Sequence, residues 1–140
     1  MLKGIPSILS PELLKIMMEM GHGEEIVIGD GNFPSASLGP KVVRCDGHGV
    51  PELMEAMLRL FPLDTYAKPV FLMEKMPGDT VECPIWDTYA EIIKPYTKDA
   101  PEFIERFAFY ERAKKAYCVI QTGESALYAN VILKKGVVVD

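Results

Sequence analysis

Near the start of the chain, apolar residues recur every three or four positions, a spacing that predicts an amphipathic helix. The helix is expected to begin after Ser10, a capping hydroxyl followed by a proline and an acid. Gly21 is expected to end the helix in a left-handed conformation. The apolar face that this spacing creates contains Leu13, Ile16, Met17 and Met20.

The same spacing predicts three later helices. Residues 51–61 form a broad apolar stripe between two prolines, and residues 84–94 form another stripe that also ends before a proline. The stretch 103–116 begins ambiguously and then becomes helical. Within it, Glu111 is placed to pair with Lys115 four residues later.

Short runs rich in β-branched residues, bounded by glycine or proline, predict buried strands at Glu25–Ile28, Val42–Cys45 and Pro69–Met73. Two more strands are expected within "YCVIQTGES" and "YANVILKKGV", joined by a turn that contains glycine. Strands alternate with helices for most of the length, and no repeat or linker interrupts the 140 residues. We therefore predict an α/β fold over residues 1–140, a single layered domain with a mixed, largely buried β-sheet flanked by helices.

The composition argues against two classes of partner, nucleic acids and membranes. A net charge of -5 and no long run of lysine or arginine give no basic patch for phosphate backbones, so no nucleic-acid partner is expected. No apolar run approaches the length needed to span a bilayer, so no membrane partner is expected either. Cys45, Cys83 and Cys118 are widely spaced, which favours neither a disulfide framework nor a zinc site. A reducing compartment, and hence a cytoplasmic location, is predicted.

The stretch "EMGHGEEIVIGDGNFP" places His22 and Asp30 each between two glycines, with a short apolar run between them. Glycines on both sides free the backbone and clear space around a polar side chain, which favours a functional role. Asp30 follows a predicted strand at the edge where open α/β sheets bind ligands. The alternatives are that His22 only caps a helix end and that Asp30 only forms an Asp-Gly turn.

Two further pairs are candidate ligand-binding residues. Tyr128 and Asn130 are two apart on a predicted strand, so they share a face and offer a hydroxyl and a carboxamide to neighbouring sugar hydroxyls. The alternative is an edge strand with two polar outward residues. Arg106 and Tyr110 are four apart and share a helical face. Arg106 could instead be a solvated cation that pairs with Glu102 or Glu105.

Metal and dinucleotide sites are not supported by the motifs. The third glycine of a G-x-G-x-x-G fingerprint is replaced by Pro34. The turn "CDGHG", which holds Cys45, Asp46 and His48, has no second cluster of metal ligands elsewhere in the chain. No metal and no cofactor are therefore predicted.

Three segments, taken in order, resemble the L-fucose mutarotase branch of the family that also contains D-ribose pyranase. They are "EMGHGEEIVIGDGNFP", "RFAFYERAKKAYCVIQTGE" and "YANVILKKGV", and the similarity extends from "SPELLK" almost to the end of the chain. The ribose branch tends to carry histidine and lysine at the positions of Arg106 and Tyr110, so the chain is more similar to the fucose branch.

The resemblance implies an isomerase, a monosaccharide mutarotase that acts on L-fucose with no metal or electron carrier. It implies a sugar site that uses His22 and Asp30, with Arg106, Tyr128 and Asn130 as substrate-binding residues and Tyr110 nearby. Our hypothesis is that His22 is the principal proton-transfer group and Tyr110 a second proton relay, while Asp30 holds sugar hydroxyls or orients the imidazole. The resemblance also implies a homodecamer built from two pentamers, with sites near subunit contacts. An extended run from Glu25 to Ile28 spans roughly 13 Å. Either the chain bends at its glycines to bring His22 to Asp30, or a neighbouring subunit supplies part of the site.

Two other functions are consistent with the same residues. A non-catalytic monosaccharide-binding module linked to sugar uptake could use the same hydroxyl-reading side chains without turnover. An assembly subunit could use its eight methionines and aromatic helix faces mainly for contacts. The binding module predicts saturable fucose binding with no faster anomer exchange, whereas the assembly subunit predicts a large oligomer that is indifferent to sugars.

Overall fold

A computed structural model describes residues 1–140, which form five helices and six strands. The helices are α1 (Pro11–Glu19), α2 (Ser35–Leu38), α3 (Val50–Leu58), α4 (Ile85–Ile93) and α5 (Arg106–Lys115). The strands are β1 (Glu25–Gly29), β2 (Val42–Cys45), β3 (Val70–Met73), β4 (Glu102–Ile104), β5 (Cys118–Thr122) and β6 (Val131–Lys134). The longest helix has 10 residues, and none has the length and apolarity to cross a bilayer.

All six strands form one mixed sheet in the order β2-β5-β1-β6-β3-β4. Strand β6 runs antiparallel to its neighbours β1 and β3, while the other adjacent pairs are parallel. Five strands therefore point one way and β6 points the other way. The carboxyl ends of β1, β3 and β4 consequently lie at the same edge of the sheet as the beginning of β6.

Helices cover both faces of the sheet, as β1 illustrates. Ile26 and Ile28 pack on one face with α1, α3 and α4, whereas Val27 packs on the other face with Phe109 and Ala113 of α5. Alternate residues of a strand point to opposite faces, so a strand buried on both faces is apolar at every position. The predicted α/β fold with a mixed, largely buried sheet is confirmed.

Several local predictions are wrong. Ser10 caps α1 as predicted, but the helix ends at Glu19 and is followed by Met20 in an extended conformation, and the left-handed glycine is Gly23. The ambiguous start of 103–116 is strand β4, and Glu111 pairs with Lys114 rather than with Lys115, at 2.8 Å.

The pattern also missed some local structure near the ends of strands. The short helix α2 was not predicted, and α3 ends at Leu58, about one turn before the predicted end. Tyr128 and Asn130 lie in the loop before β6, so they are not on a strand. Because β6 is an interior strand of the sheet, the edge-strand alternative for this pair is wrong.

Candidate active site

The sheet topology collects polar side chains from distant parts of the sequence at one edge. Asp30 follows the carboxyl end of β1, and Asn130 precedes β6, which runs antiparallel beside it. Arg106 begins α5 just after β4, whose carboxyl end lies at the same edge. This is the edge at which open α/β sheets bind ligands.

A cavity of about 330 Å³ opens at this edge. It is lined by Asp30, Asn32, Phe33, Met73, Met76, Asp79, Arg106, Tyr110, Leu127, Tyr128 and Asn130. Five of the six residues that the sequence singled out therefore lie around one cavity, and His22 is the exception. The volume lies at the low end of the range for small-molecule sites and is consistent with a monosaccharide.

Asp30 supplies a buried carboxylate to the cavity, with 5% of the residue exposed. Burial, the largest influence, raises the pKa of this carboxyl, while a hydrogen bond from the Asn32 backbone opposes the rise. The Asn32 N–H donates to Asp30 Oδ1 at 3.0 Å. A carboxylate whose charge is poorly solvated is stabilised when it takes up a proton or accepts a hydrogen bond from a sugar hydroxyl.

Asn130 is held in one orientation by the backbone of Asp30. The Asp30 N–H donates to Asn130 Oδ1 at 2.7 Å. A backbone N–H can only donate, so the facing atom must be the carbonyl oxygen of the side chain. The amide NH₂ of Asn130, which has no partner among the protein's hydrogen bonds, is left to donate to a ligand in the cavity.

Arg106 and Tyr110 form a joined pair on the first turns of α5. Arg106 Nε donates to the Tyr110 hydroxyl oxygen at 3.0 Å, and this hydrogen bond is the main cause of a raised Arg106 pKa. Arg106 has no ion pair with Glu102 or Glu105, so the solvated-pair alternative is wrong. The Tyr110 hydroxyl accepts from a cation and keeps its own hydrogen to donate into the cavity.

Tyr128 reaches the cavity by a route that the strand pattern did not predict. It has a left-handed backbone with φ of 54°. Its hydroxyl donates to the Asp79 carboxylate, the main cause of its raised pKa, and accepts from the Met76 N–H at 3.2 Å. The phenol therefore holds the 76–79 loop, and its ring is the surface that it presents to the cavity.

His22 lies at the opposite edge of the sheet, in the loop before β1. The five residues of β1 separate it from Asp30, a span of roughly 16 Å. Its Nε2 faces Asp64 Oδ1 at 3.0 Å, so the idea that Asp30 orients the imidazole within one chain is wrong. The glycines do not bend the chain enough to bring His22 to the cavity.

The glycines of the "GHG" and "GDG" runs were expected to clear space around His22 and Asp30, but their structural roles are different. Gly23 has φ of +84°, so it makes the turn after His22. At Gly29, an added Cβ would lie 2.7 Å from the Cβ of Phe33. Gly29 therefore allows Phe33, a cavity-lining residue, to pack closely against the end of β1, and no empty space is left beside it.

Sequence reasoning missed two carboxylates, Asp79 and Asp64. Asp79 follows a Pro-Gly pair that indicated only a turn, and its contact with Tyr128 spans 49 positions. Asp64 lies between a leucine and a threonine without a recognisable motif, and its contact with His22 spans 42 positions. No local signal could have found either contact.

The cavity combines a buried acceptor, fixed amide and phenol donors and a guanidinium around a mainly apolar floor. Such a set can bind neighbouring hydroxyl groups and can move a proton between oxygens. No group of three or more histidine, cysteine, aspartate or glutamate side chains is arranged to hold a metal ion.

Comparisons of the sequence and of the structure with known proteins point to the same family. The model of the RbsD / FucU transport protein family matches residues 3–138. A fucose mutarotase of Danio rerio is 52% identical, with 98% of this chain and 94% of that protein covered.

Two solved structures are also similar over nearly their full length. One is the fucose mutarotase in complex with L-fucose from Streptococcus pneumoniae, 50% identical, with 99% and 100% of the two chains covered and a TM-score of 0.94. The other is FucU from Bifidobacterium longum, 61% identical, with 98% and 100% of the chains covered and a TM-score of 0.95.

Proposed function

The chain belongs to the RbsD / FucU transport protein family, and from this premise we propose that it is an L-fucose mutarotase, an isomerase that interconverts the α and β anomers of the sugar. The observation that carries the proposal is the cavity lined by Asp30, Arg106, Tyr110, Tyr128 and Asn130. It occurs in a chain that is 50% identical to a mutarotase whose structure contains L-fucose. We assign this activity to a single sugar-mutarotase domain over residues 1–140.

The reaction opens and recloses the pyranose ring. A base takes the proton of the anomeric hydroxyl, the O–H electron pair forms the C1 carbonyl, and the C1–O5 bond breaks. The electron pair of that bond goes to the ring oxygen, which takes a proton from an acid. After rotation of the aldehyde, closure on the other face returns both protons, so no metal or electron carrier takes part in the chemistry.

The residues have distinct roles in this scheme. His22 is the principal proton-transfer group, because an imidazole can both donate and accept a proton. Asp30 and Asn130 bind sugar hydroxyls, and Arg106 neutralises negative charge that develops on oxygen. The Tyr110 hydroxyl is the second proton relay, supported by its hydrogen bond from Arg106.

His22 reaches the cavity of a neighbouring subunit in this proposal. Support comes from the separation of His22 from the cavity within one chain, at opposite ends of β1. Both edges also carry exposed apolar side chains: Met18 and Tyr66 near His22, and Phe107 and Leu127 near the cavity. Exposed apolar groups of this size favour burial against another subunit.

A contact between two different edges of the same chain is heterologous, and such contacts repeat around a ring when the rotation closes. This geometry is compatible with the implied homodecamer of two pentameric rings. The three cysteines are free thiols, which supports the proposed cytoplasmic location because thiols persist in reducing compartments.

Anomer exchange measured by NMR saturation transfer tests the function and the role of His22 together. For His22→Ala we expect exchange between fucose anomers to slow by roughly 10²- to 10⁴-fold, the usual contribution of a proton-transfer group. The matched control is His48→Ala, which removes the other, partly exposed histidine and should leave the rate unchanged.

The outcome also separates the rival functions. Wild-type protein that binds fucose without accelerating exchange would favour the non-catalytic binding module. Undiminished exchange in His22→Ala, with acceleration by the wild type, would remove His22 from the mechanism and leave the mutarotase activity to the cavity residues alone.

A further inference from the structure

Two polar side chains of β5 are buried at the point where its pairing with β1 ends. The parallel ladder between the two strands ends at the pair of Gly29 and Gln121. Gln121 and the next residue, Thr122, are 4% and 1% exposed. A buried polar group lowers stability unless it has hydrogen-bond partners, so the partners of these two side chains indicate what the side chains do.

The two side chains hold the backbone at the end of β1 and just beyond it. The Thr122 hydroxyl donates to the Gly29 carbonyl at 2.7 Å. The Gln121 side-chain amide donates to the Asp30 carbonyl at 2.8 Å and to the Thr122 carbonyl, also at 2.8 Å. Asp30 lies beyond the last strand pair, so a side chain of the neighbouring strand holds its carbonyl in place of the backbone ladder.

The Gln121 carboxamide has only one orientation that satisfies its partners. The Asp30 and Thr122 carbonyl oxygens can only accept, so the side-chain atom that faces them must be the NH₂ group. The carboxamide oxygen accepts from the hydroxyl of Ser35 at the start of α2, and Ser35 is 2% exposed. Both hydrogens and the oxygen of this carboxamide therefore have partners in the protein, which fixes the point at which Asp30 is held.

Sheet packing alone does not explain a glutamine at position 121. Val119 lies two residues earlier in β5, so it points to the same face of the sheet. Its side chain packs in an apolar cluster with Phe109 of α5. An apolar residue at position 121 would extend this cluster with no polar group to satisfy, so the hydrogen bond to Asp30 is the feature that requires an amide.

The Asp30 backbone connects Gln121, which does not line the cavity, to two side chains that do. The Asp30 N–H donates to Asn130 Oδ1 at 2.7 Å, while the Asp30 carbonyl accepts from Gln121 and, at 3.1 Å, from the Phe33 N–H. A shift of the Asp30 backbone would therefore move the Asp30 carboxylate and release the Asn130 carboxamide together. Misplacement of binding groups by about 1 Å is enough to impair an enzyme roughly 10²-fold.

We propose that Gln121 is a positioning residue for the sugar site: by fixing the Asp30 backbone, it sets the places of the Asp30 carboxylate and the Asn130 carboxamide in the cavity. The inference rests on the proposed function for its effect on the sugar. The positions of Asp30 and Asn130 themselves are properties of the free protein and can be measured without a substrate.

The free protein gives the first test, with Gln121→Met, a side chain of similar length that cannot donate. Burial is the largest cause of the raised Asp30 pKa, and the Glu124 charge raises it further. Release of the Asp30 backbone should let water reach the carboxyl, so we expect its pKa to fall towards 3.8 in a ¹³C NMR titration. An unchanged Asp30 pKa in Gln121→Met would overturn the proposal, whether or not the chain is a mutarotase.

Anomer-exchange kinetics give the second test. For Gln121→Met we expect KM for fucose to rise roughly 5- to 20-fold with kcat within about threefold, because sugar-binding groups move while no proton-transfer group is removed. Ser10→Ala is the control, because it removes the cap of α1, which lines no part of the cavity. It should lower the melting temperature and leave KM unchanged. A wild-type KM in Gln121→Met would contradict the positioning role.

The double variant Gln121→Met/Ser35→Ala separates loss of the Asp30 contact from damage to the core. Gln121→Met alone leaves the buried Ser35 hydroxyl without its partner, whereas the double variant removes both polar groups and should melt closer to the wild type. We expect KM to stay raised in the double variant, because Asp30 is still released. A return of KM to the wild-type value would show that the orphaned hydroxyl caused the effect and would overturn the inference. Wild-type protein that does not accelerate exchange would defeat the proposed function, while the Asp30 titration would still decide the role of Gln121.

Discussion

At the scale of single residues, Asp30 combines two properties that oppose each other. Its carboxylate is placed where a sugar hydroxyl can be bound, and its burial raises its pKa. A buried charge that is not matched by an opposite charge lowers the stability of the folded state. We therefore expect the Asp30 carboxylate to serve the reaction while it lowers the stability of the folded state.

Replacing Asp30 by asparagine should therefore stabilise the fold at pH 7 while it impairs the reaction. The folded carboxyl keeps its proton above the unfolded value of 3.8, so wild-type stability falls as the pH rises from 3.8 through the higher folded pKa. The asparagine side chain does not ionise, so Asp30→Asn does not lose stability over this pH range. We expect a gain of the order of 1 kcal/mol at pH 7 and slower anomer exchange, by roughly 10²-fold.

Melting curves at pH 7 and at pH 3 check the sign. The advantage of Asp30→Asn should largely vanish at pH 3, where the carboxyl is protonated in both states. Asp46→Asn is the control, because Arg44 lowers the pKa of that exposed carboxyl and its replacement should not stabilise the protein at pH 7. A variant at Asp30 that melts below the wild type at pH 7 would show that the carboxylate is net stabilising.

At the scale of elements, the first turn of α5 determines where Arg106 lies. Glu105 caps this helix: its carboxylate accepts from the N–H groups of Phe107 and Ala108, at 2.9 and 3.0 Å. These hydrogen bonds lower the pKa of Glu105. The cap therefore acts above the unfolded value of 4.5 and is lost as the pH falls through the lower folded pKa.

Removal of this cap should loosen substrate binding without removing any group that touches the sugar. For Glu105→Ala we expect KM for fucose to rise roughly three- to tenfold, because the turn that carries Arg106 frays. Glu111→Ala on the same helix removes an exposed partner of Lys114 and serves as the control. Equal KM values for the two variants would mean that the cap does not position Arg106.

At the scale of the whole molecule, the proposed site requires two subunits, and mixed assemblies test this directly. His22→Ala provides an intact cavity, and Asp30→Asn provides an intact imidazole. If these come from neighbouring subunits of a ring, random co-assembly at equal amounts should restore about a quarter of the sites, because each site needs one particular subunit on each side. Exchange rates of the co-expressed mixture give the measurement.

The double variant His22→Ala/Asp30→Asn, co-expressed with His22→Ala, supplies the baseline, because no pairing of these chains contains an intact imidazole. Recovery no greater than this baseline would argue that His22 and the cavity of the same chain work together, or that His22 is not part of the site. Sedimentation velocity on the same samples should show one large species, as the proposed decamer requires.

Much of the fold was predictable because its signals are local. The apolar spacing and the Ser10 cap predicted α1, and the β-branched run predicted β1. The errors occurred in segments that are too short to show a periodic apolar pattern, such as β4 and α2. The left-handed turn falls at Gly23 rather than at Gly21, because contacts with the tail of β6, and not the helix end, set the path of that loop.

The sequence by itself determined the fold class and the kinds of side chain in the cavity, because hydrophobic period and residue chemistry are properties of the chain alone. Only the tertiary structure decided which of these side chains meet. The order of the strands puts Asp30, Asn130 and Arg106 at one edge and His22 with Asp64 at the other. Strand pairing joins residues about a hundred positions apart, and no local pattern encodes such a contact.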